Sequence, residues 1–316
     1  MAFRQVQASP KAEKYYKNQR KRATYPTEKQ KQSFYRMMTR IGDELQAREK
    51  IILGPSKTIH LQALDICLAP GGYSATVLKY NPYAKVCGLS LPIDEGGHDV
   101  LLPRWQTDHR VNIRFTDITM LAAEIGFPDL PLQDHPQASQ FSNDSPFDSR
   151  TFDIVFCDGQ VLHTHVRAND SKNEAFRLTS AQIIIALQKV KPGGTMVMLL
   201  HQAYSPHTIR LLESFNQFSQ ISLFKPKVSH AHRTSFYLVA KYVESKSGAA
   251  CQLLHHMRGV WSSHTVQQFG VDLPEPYTGT MQRTLQELME SFGEKLVSLA
   301  EPLWELQIKA MERMFL

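Results

Sequence analysis

The sequence predicts an α/β protein built on one doubly wound, mainly parallel sheet of seven strands, with helical extensions at both ends. Short apolar runs alternate along the chain with longer segments of helical spacing, which is typical of parallel sheets covered by helices. The predicted strands are 59–69, 84–91, 111–118, 152–159, 195–201, 220–226 and 235–243, and the principal helices between them are 72–80, 174–191 and 205–218.

The composition is that of a folded, globular chain. Of the 316 residues, 42% are hydrophobic and 21% are charged, which excludes a wholly disordered or collagen-like protein. No apolar run approaches the ~20 residues of a membrane span, and the N-terminus lacks the apolar core of a secretion signal. We therefore expect an intracellular protein of the cytoplasm or nucleus. The cysteines form no CxxC pair, so free thiols are expected rather than disulfides or a zinc site.

Positive charge is concentrated at the N-terminus. Residues 1–50 contain thirteen Lys or Arg and five acids, whereas the net charge of the whole chain is +6. We interpret 1–27 as a basic arm and 28–50 as an amphipathic helix, because apolar residues recur there every three or four positions. The arm is either a contact for a polyanion such as RNA or a solvated helical face.

Two segments lie outside the strand and helix alternation. Residues 127–150 are rich in Pro, Ser and Asp and lack periodicity, which predicts a surface loop with the composition of a lid. After the central domain, 28–243, the remainder, 244–316, is expected to be a linker and a helical C-terminal extension. Its apolar stripe predicts a helix that is bent or broken at Pro302 and that packs onto the sheet or makes a dimer contact.

The strongest local motif is LDICLAPGGYS, residues 64–74. A hydrophobic strand runs into Gly71 and Gly72, and a helix starts at once, so no side chain separates the backbone from a ligand. The helix start also presents free N–H groups and the positive end of its dipole. The pattern predicts a nucleotide or adenosyl-cofactor site at the carboxyl end of the first strand. It matches neither the GxGxxG fingerprint nor the P-loop.

Residues 65–74, Asp-x-Cys-x-Ala-Pro-Gly-Gly-Tyr-Ser, resemble the first motif of the FtsJ-like methyltransferases. These are S-adenosylmethionine (SAM) enzymes that mostly methylate ribose 2′-hydroxyls of RNA. The resemblance covers about residues 30–243 and includes the runs FDIVFCDG (152–159), KPGGT (191–195), FKP (224–226) and SFYLVA (235–240). It implies the Rossmann-like sheet of the class I SAM methyltransferases, with SAM as cofactor.

The resemblance also implies which residues bind SAM. The turn after the first strand matches the motif that holds the methionine end, and its candidate residues are Asp65, Ala69, Pro70, Gly71, Gly72 and Tyr73. Asp117 matches the acid that accepts the adenine amino group, although a helix N-cap would explain the same residue. Asp158 borders the cofactor as well. The acid that usually binds the ribose is absent, which leaves Ser90 or Asp94 as alternatives.

The family's catalytic Lys-Asp-Lys-Glu tetrad is matched in type at Asp158. Leu199 stands at the place of the central lysine and Ser235 at that of the glutamate. Arg36 is the counterpart of the first lysine, but arginine is a poor base because its pKa exceeds about 12.

Histidines are the candidate replacement bases, since imidazole titrates near neutral pH. His201 follows Leu199 by two residues, and His163 and His165 follow Asp158. The alternative is that these histidines only hydrogen-bond their loops. The His-x-His pair is too weak a pattern to predict a metal.

The sequence leaves three functions open. The first is methylation of an RNA ribose 2′-hydroxyl, by family resemblance. The second is methylation of a small molecule, favoured by Leu199 and Ser235; methyl transfer needs chiefly proximity and alignment. The third is a catalytically inactive protein that binds SAM or RNA. A cluster before the last strand is either an anion contact or a solvated loop; its members are Lys225, Lys227, His230, His232 and Arg233.

Overall fold

The computed structural model describes residues 26–54, 60–130, 135–161, 171–266 and 283–315. Nearly all of the predicted basic arm, together with His163 and His165, lies outside the described residues, so those predictions stand as made.

The centre of the protein is one seven-stranded sheet with the order β3-β2-β1-β4-β5-β7-β6. Neighbouring strands are parallel except at β7, which runs antiparallel to both of its neighbours. This confirms the doubly wound, mainly parallel sheet. The strands are β1 (Gln62–Ile66), β2 (Lys85–Ser90), β3 (Val111–Phe115), β4 (Phe152–Cys157), β5 (Val190–His201), β6 (Gln220–Phe224) and β7 (Ser235–Val243).

Helices cover both faces of the sheet. They are α1 (Glu28–Glu49), α2 (Gly72–Tyr80), α3 (Ala122–Ile125), α4 (Ser171–Lys189), α5 (Pro206–Phe218), α6 (Gly248–Thr265) and α7 (Leu285–Phe315). Short 3-10 turns lie at Ile93–Glu95, Ile118–Met120 and Ala138–Gln140. Among these described helices, none combines the length and the apolar content needed to cross a membrane.

The strand order reverses at the centre of the sheet, where β1 lies between β2 and β4. The connections from β1 and β4 leave the sheet in opposite directions, which opens a crevice at the carboxyl ends of these two strands. Ligands of doubly wound sheets bind in that crevice. The segment after β1 and the residues after β4 are therefore the places where the fold positions a site.

Helix α1 packs closely against the start of α2 on one face of the sheet. A Cβ added at Gly72 would lie 2.3 Å from Cβ of Met38, and one added at Gly42 would lie 2.3 Å from Oγ1 of Thr76. A larger residue at either glycine would force the helices apart. Since α2 begins at Gly72, this contact fixes α1 beside the first motif.

The C-terminal extension packs onto the other face. Helix α6 brings Trp261 into the core, where its Nε1 donates a hydrogen bond of 3.0 Å to the Thr119 carbonyl. The apolar stripe of α7 is buried in the same core through Leu288, Phe292, Leu296, Ala300 and Leu303. Of the two interpretations of this stripe, packing onto the sheet is therefore the one that the structure adopts.

Helix α7 continues through Pro302, so of the two expectations, a bend or a break, the break is wrong. Pro302 lies on the exposed face, where water can bind the carbonyl oxygen that loses its helical donor. The linker after β7 is only a few residues long, because α6 begins at Gly248, where the Ser247 hydroxyl accepts a hydrogen bond from the Ala250 amide and caps the helix.

The described part of 127–150 is a surface loop, as predicted, and a few contacts anchor it to the core. The ring of Phe141 packs against that of Trp261, and Nε2 of buried His135 lies 2.9 Å from the carbonyl oxygen of Thr265. Ser142 forms a parallel bridge with Leu121. The role of a lid stays a prediction.

Candidate active site

The turn after β1 brings the backbone into the crevice. Gly71 has φ +99°, a left-handed conformation that favours glycine, and a Cβ there would lie 3.1 Å from Cβ of Leu102. Helix α2 begins at the next residue without a side-chain cap from Gly71. Instead, Oδ2 of Asp65 accepts hydrogen bonds from the Ser74 amide and hydroxyl, at 3.2 and 2.6 Å. Asp65 thus fixes the start of α2 relative to β1.

The loop between β2 and β3 packs against this turn. The Leu101 amide donates to the Pro70 carbonyl at 2.9 Å, and Nζ of Lys31 on α1 binds Asp99 at 2.6 Å. Arg36 also lies on α1, but it is exposed, and its guanidinium makes no hydrogen bond or ion pair within the described residues. The structure therefore brings the turn and the loop together and leaves Arg36 facing solvent.

Three predicted acids surround the Cys67 thiol at the strand ends. Burial raises the pKa of this thiol, and the charges of Asp117, Asp65 and Asp158 raise it further. Burial also raises the pKa of Asp65 to about 7. The pKa of Asp158 is raised well above its ordinary value, first by burial and then by Asp65. The four cysteines are free thiols.

No lysine or arginine in the described part of the chain forms an ion pair with Asp65 or Asp158. A positively charged ligand would stabilise the ionised form of these two buried carboxyl groups, so the crevice favours a cation. In the same described residues no three His, Cys, Asp or Glu side chains are grouped as metal ligands would be.

Asp117 has the role that the N-cap alternative predicted. Its Oδ1 accepts hydrogen bonds from the Thr119 amide and hydroxyl, both at 2.8 Å, and caps the 3-10 turn Ile118–Met120. Nη2 of Arg177 on α4 donates to the same threonine hydroxyl at 3.0 Å. Helices α4 and α6 therefore hold the segment after β3. The adenine contact of Asp117 stays a prediction.

The two ribose candidates are the last residue of β2 and a residue of the turn that follows it. Ser90 is buried, and its carbonyl oxygen accepts a hydrogen bond from the Thr116 amide at 2.8 Å. Asp94 lies exposed in the 3-10 turn that follows. The ribose assignment also stays a prediction.

A buried pair of tyrosine hydroxyls lies beside Asp158, and the sequence analysis missed it. The Tyr73 hydroxyl donates to the Tyr237 hydroxyl at 2.6 Å, and the Tyr73 ring stacks on Phe156 with centroids 5.2 Å apart. Burial, followed by the Asp158 charge, raises the pKa of both tyrosines well above the ordinary value. Oδ1 of Asp158 is itself buried and has no hydrogen-bond partner among the described residues.

Leu199 cannot act as a base beside Asp158 and the tyrosine pair. In the pairing of β5 with β7 it lies opposite Tyr237, and it packs against the apolar cluster that includes Tyr73 and Phe156. An aliphatic side chain thus occupies the position that the family resemblance gives to the central lysine.

His201 lies at the end of β5, next to the segment that follows Asp158. Its Nε2 is 2.8 Å from Oε1 of Gln160. Burial lowers the pKa of His201, and the charges of Arg233 and Lys225 lower it further, so the imidazole is neutral near pH 7. A neutral imidazole has the right form for a general base, although Gln160 holds one of its nitrogens.

The crevice fits the cofactor that the resemblance implies. SAM carries a sulfonium and an ammonium, both cationic, and the crevice offers buried Asp65 and Asp158 together with the unpartnered Oδ1 of Asp158. A Cβ at Gly71 would press against Leu102 and one at Gly72 against Met38 of α1, so both glycines are needed for the close packing of this turn. The donor set therefore suits a cationic adenosyl ligand.

Comparison with known proteins agrees with this geometry. Residues 43–243 match the family model of the FtsJ-like methyltransferases. A cap-specific mRNA (nucleoside-2′-O-)-methyltransferase of Autographa californica nuclear polyhedrosis virus is 26% identical over 182 residues. That match covers 56% of this chain and 62% of the relative, so the chain spans less than two thirds of the relative's length.

Solved structures with a similar fold were also found. A putative rRNA methylase from Clostridium thermocellum has a TM-score of 0.40 and 10% identity, covering 64% of this chain and 96% of its own. An O-methyltransferase family protein from Burkholderia thailandensis has a TM-score of 0.38 and 15% identity, covering 68% and 60%. The family match spans every strand of the sheet and the whole crevice, and the chain belongs to the SAM-dependent FtsJ-like methyltransferases.

Proposed function

We propose that this protein methylates a ribose 2′-hydroxyl of RNA with SAM as methyl donor. The observation that carries the proposal is the pair of buried carboxyl groups, Asp65 and Asp158, which form no ion pair with a cation among the described residues. A cationic donor compensates both. The RNA acceptor is supported by the viral relative, whose name gives an mRNA cap 2′-O-methyltransferase.

The chain's own residues act mainly by aligning the methyl donor with the acceptor, and less by acid–base catalysis. SAM, when bound, supplies an electrophilic methyl group. The turn at Gly71 and Gly72 lies beside it, and Asp65 keeps the start of α2 in place there. Oδ1 of Asp158, which is buried and has no hydrogen-bond partner among the described residues, is the acceptor proposed for the substrate hydroxyl. Positioning a nucleophile in this way accounts for a large share of the barrier reduction in transfers of this kind.

Two groups in the site can accept the proton that the hydroxyl releases. Asp158 in its ionised form takes it readily because the raised pKa makes this carboxylate a better base. His201 is neutral and lies across Gln160 from the same segment. Residues 1–27, the basic arm, are proposed to contact the RNA backbone outside the crevice.

The test is methyl transfer from radiolabelled SAM to total RNA, beside a small-molecule cell extract. We expect label in RNA, recovered after alkaline hydrolysis as a resistant dinucleotide. Asp158→Asn should abolish transfer while SAM still binds, and the exposed-loop variant Asp144→Asn serves as the matched control. Label found in bases, or equal rates for both variants, would contradict the proposal.

A small-molecule acceptor is the second candidate, because Leu199 and Ser235 remove two polar members of the family's RNA-type tetrad. Label confined to the small-molecule fraction would establish it. SAM binding without label in either fraction would instead indicate a catalytically inactive protein.

A further inference from the structure

A group of basic side chains collects at the carboxyl edge of the sheet, one strand beyond the crevice. The pairing of His201 on β5 with Ser235 on β7 brings the end of β5 next to the loop that joins β6 to β7. We call this group the basic edge; its members are His201, Lys225, His230, His232 and Arg233.

Arg233 has no compensating charge among the described residues. Its Nε is buried without a hydrogen-bond partner, and its guanidinium forms no ion pair within the described residues. A carboxylate contacts the backbone of loop 225–234, where Glu44 of α1 accepts a hydrogen bond from the Lys227 amide at 2.9 Å. A guanidinium with unsatisfied N–H groups in a partly buried place is costly unless an anion binds it.

Lys225 fixes the shape of this loop. Its Nζ is buried and donates to the carbonyl oxygens of Arg233 and Ser235, at 2.6 and 2.7 Å. An ammonium has three donors, so one remains without a partner in the described part of the chain. The contact sets Arg233 in place beside His230, whose φ is +59°. The basic edge is thus a cluster of hydrogen-bond donors that the loop holds in place, rather than a set of mobile lysine side chains.

We propose that the basic edge binds a phosphodiester of the RNA strand, next to the ribose that is methylated. The inference rests on the proposed function and names the part of the acceptor that this site recognises. Ser235 precedes Tyr237 by two residues on β7, which is about 7 Å along a strand, and Tyr237 lies beside Asp158. His201 is linked to the same segment through Gln160. A phosphate at the edge therefore lies close to a hydroxyl held at Asp158.

Around Lys225 the neighbouring elements present uncharged groups. Tyr204, after β5, and Trp304 and Gln307 of α7 line a small cavity with Lys225. Burial and the adjacent cations hold the pKa of His230 at about 3 and that of His232 at about 4, so both are neutral at pH 7. A bound phosphate favours their charged form, and its affinity should rise as pH falls.

The experiment uses the full chain and a fluorescein-labelled eight-nucleotide RNA, measured by anisotropy over a range of salt concentrations. Arg233→Gln should weaken binding roughly tenfold or more, the usual loss for a charge-assisted hydrogen bond. It should also reduce the slope of log affinity against log salt by about 0.7, the value for one contact to a single strand. The matched control is Lys246→Gln, an exposed residue beyond β7 at the opposite edge of the sheet.

Several outcomes separate this inference from the proposed function. Unchanged RNA affinity and salt slope in Arg233→Gln, with its fold intact by circular dichroism, would overturn the phosphate site. If that variant does not fold, His230→Gln replaces it, and a weaker dependence of binding on pH is the expected result, because His232 remains. Stronger competition by a nucleoside triphosphate than by unlabelled RNA would refute the phosphodiester assignment. RNA binding that depends on Arg233 but brings no methyl transfer would support the site and contradict the proposed function.

Discussion

Replacing Asp65 by Asn should flatten the dependence of stability on pH. Burial raises the pKa of Asp65 from 3.8 to about 7, so between these values the folded state holds a proton that the unfolded state has lost. An acid with a raised pKa therefore destabilises the protein progressively as pH rises through this window. Asparagine does not titrate, but its oxygen can still accept the hydrogen bonds that Ser74 donates.

The size of the effect follows from the two pKa values. Moving a pKa from 3.8 to about 7 corresponds to roughly 4 kcal/mol once the carboxyl is fully ionised. Part of that cost is already present at pH 5. Between pH 5 and pH 8 the wild-type free energy of unfolding should therefore fall by about 2.5 kcal/mol more than that of Asp65→Asn. Removing the Asp65 charge also lowers the pKa of Asp158, which increases the difference.

Urea denaturation at pH 5 and pH 8, without SAM, measures this difference. The comparison between pH values is sharper than the stability at one pH, because the altered packing of the amide contributes equally at both. Asp94→Asn is the matched control, since Asp94 is exposed in the turn after β2 and should leave the profile unchanged. Parallel profiles for the wild type and Asp65→Asn would refute the reasoning, because Asp65 would then titrate as it does in the unfolded chain.

Three further results are expected. Tyr237→Phe keeps the ring but leaves the hydroxyl that bound it buried without a partner, so the free energy of unfolding should fall by about 1–3 kcal/mol in urea titrations. Trp261→Phe loses the hydrogen bond to the Thr119 carbonyl and should cost at least about 1 kcal/mol, measured likewise. A stability equal to the wild type would contradict either expectation. Leu199→Lys places an ammonium beside Asp158 and should raise the single-turnover rate of methyl transfer roughly 100-fold; an unchanged rate would exclude a missing lysine as the limit.

The fold was predictable because its signals are local. The runs that predicted the strands are apolar at successive positions, as buried parallel strands are, and seven strands form where seven were predicted. The first strand ends earlier than expected, at Ile66, because Leu68 is as apolar as a strand residue but belongs to the glycine turn. Hydrophobic runs show burial, and they do not show where the backbone leaves the sheet.

The part of the site that lies within one sequence motif could be predicted, whereas the part formed by residues far apart in the sequence could not. Asp65, Gly71 and Gly72 lie within eight positions of one another, so the sequence alone indicated their role. The hydroxyl pair joins Tyr73 to a residue 164 positions away. Inside SFYLVA, Tyr237 has the pattern of an ordinary core residue, and no local feature shows that its oxygen is paired.

The loss of the family's catalytic lysine changes more than the supply of a base. A lysine at position 199 would place a positive charge beside Asp158 and hold the pKa of that carboxyl low. With Leu199 there, burial and the charge of Asp65 outweigh the lowering effect of the Tyr73 and Tyr237 hydroxyls, and the pKa of Asp158 rises. The raised pKa favours the protonated form of Asp158, and a positively charged methyl donor would shift this group toward its ionised form. Binding of SAM should accordingly release protons, whereas binding of S-adenosylhomocysteine, which lacks the sulfonium charge, should release fewer. Calorimetry in buffers of different ionisation enthalpy measures both, and equal proton release for the two ligands would show that the sulfonium does not control Asp158.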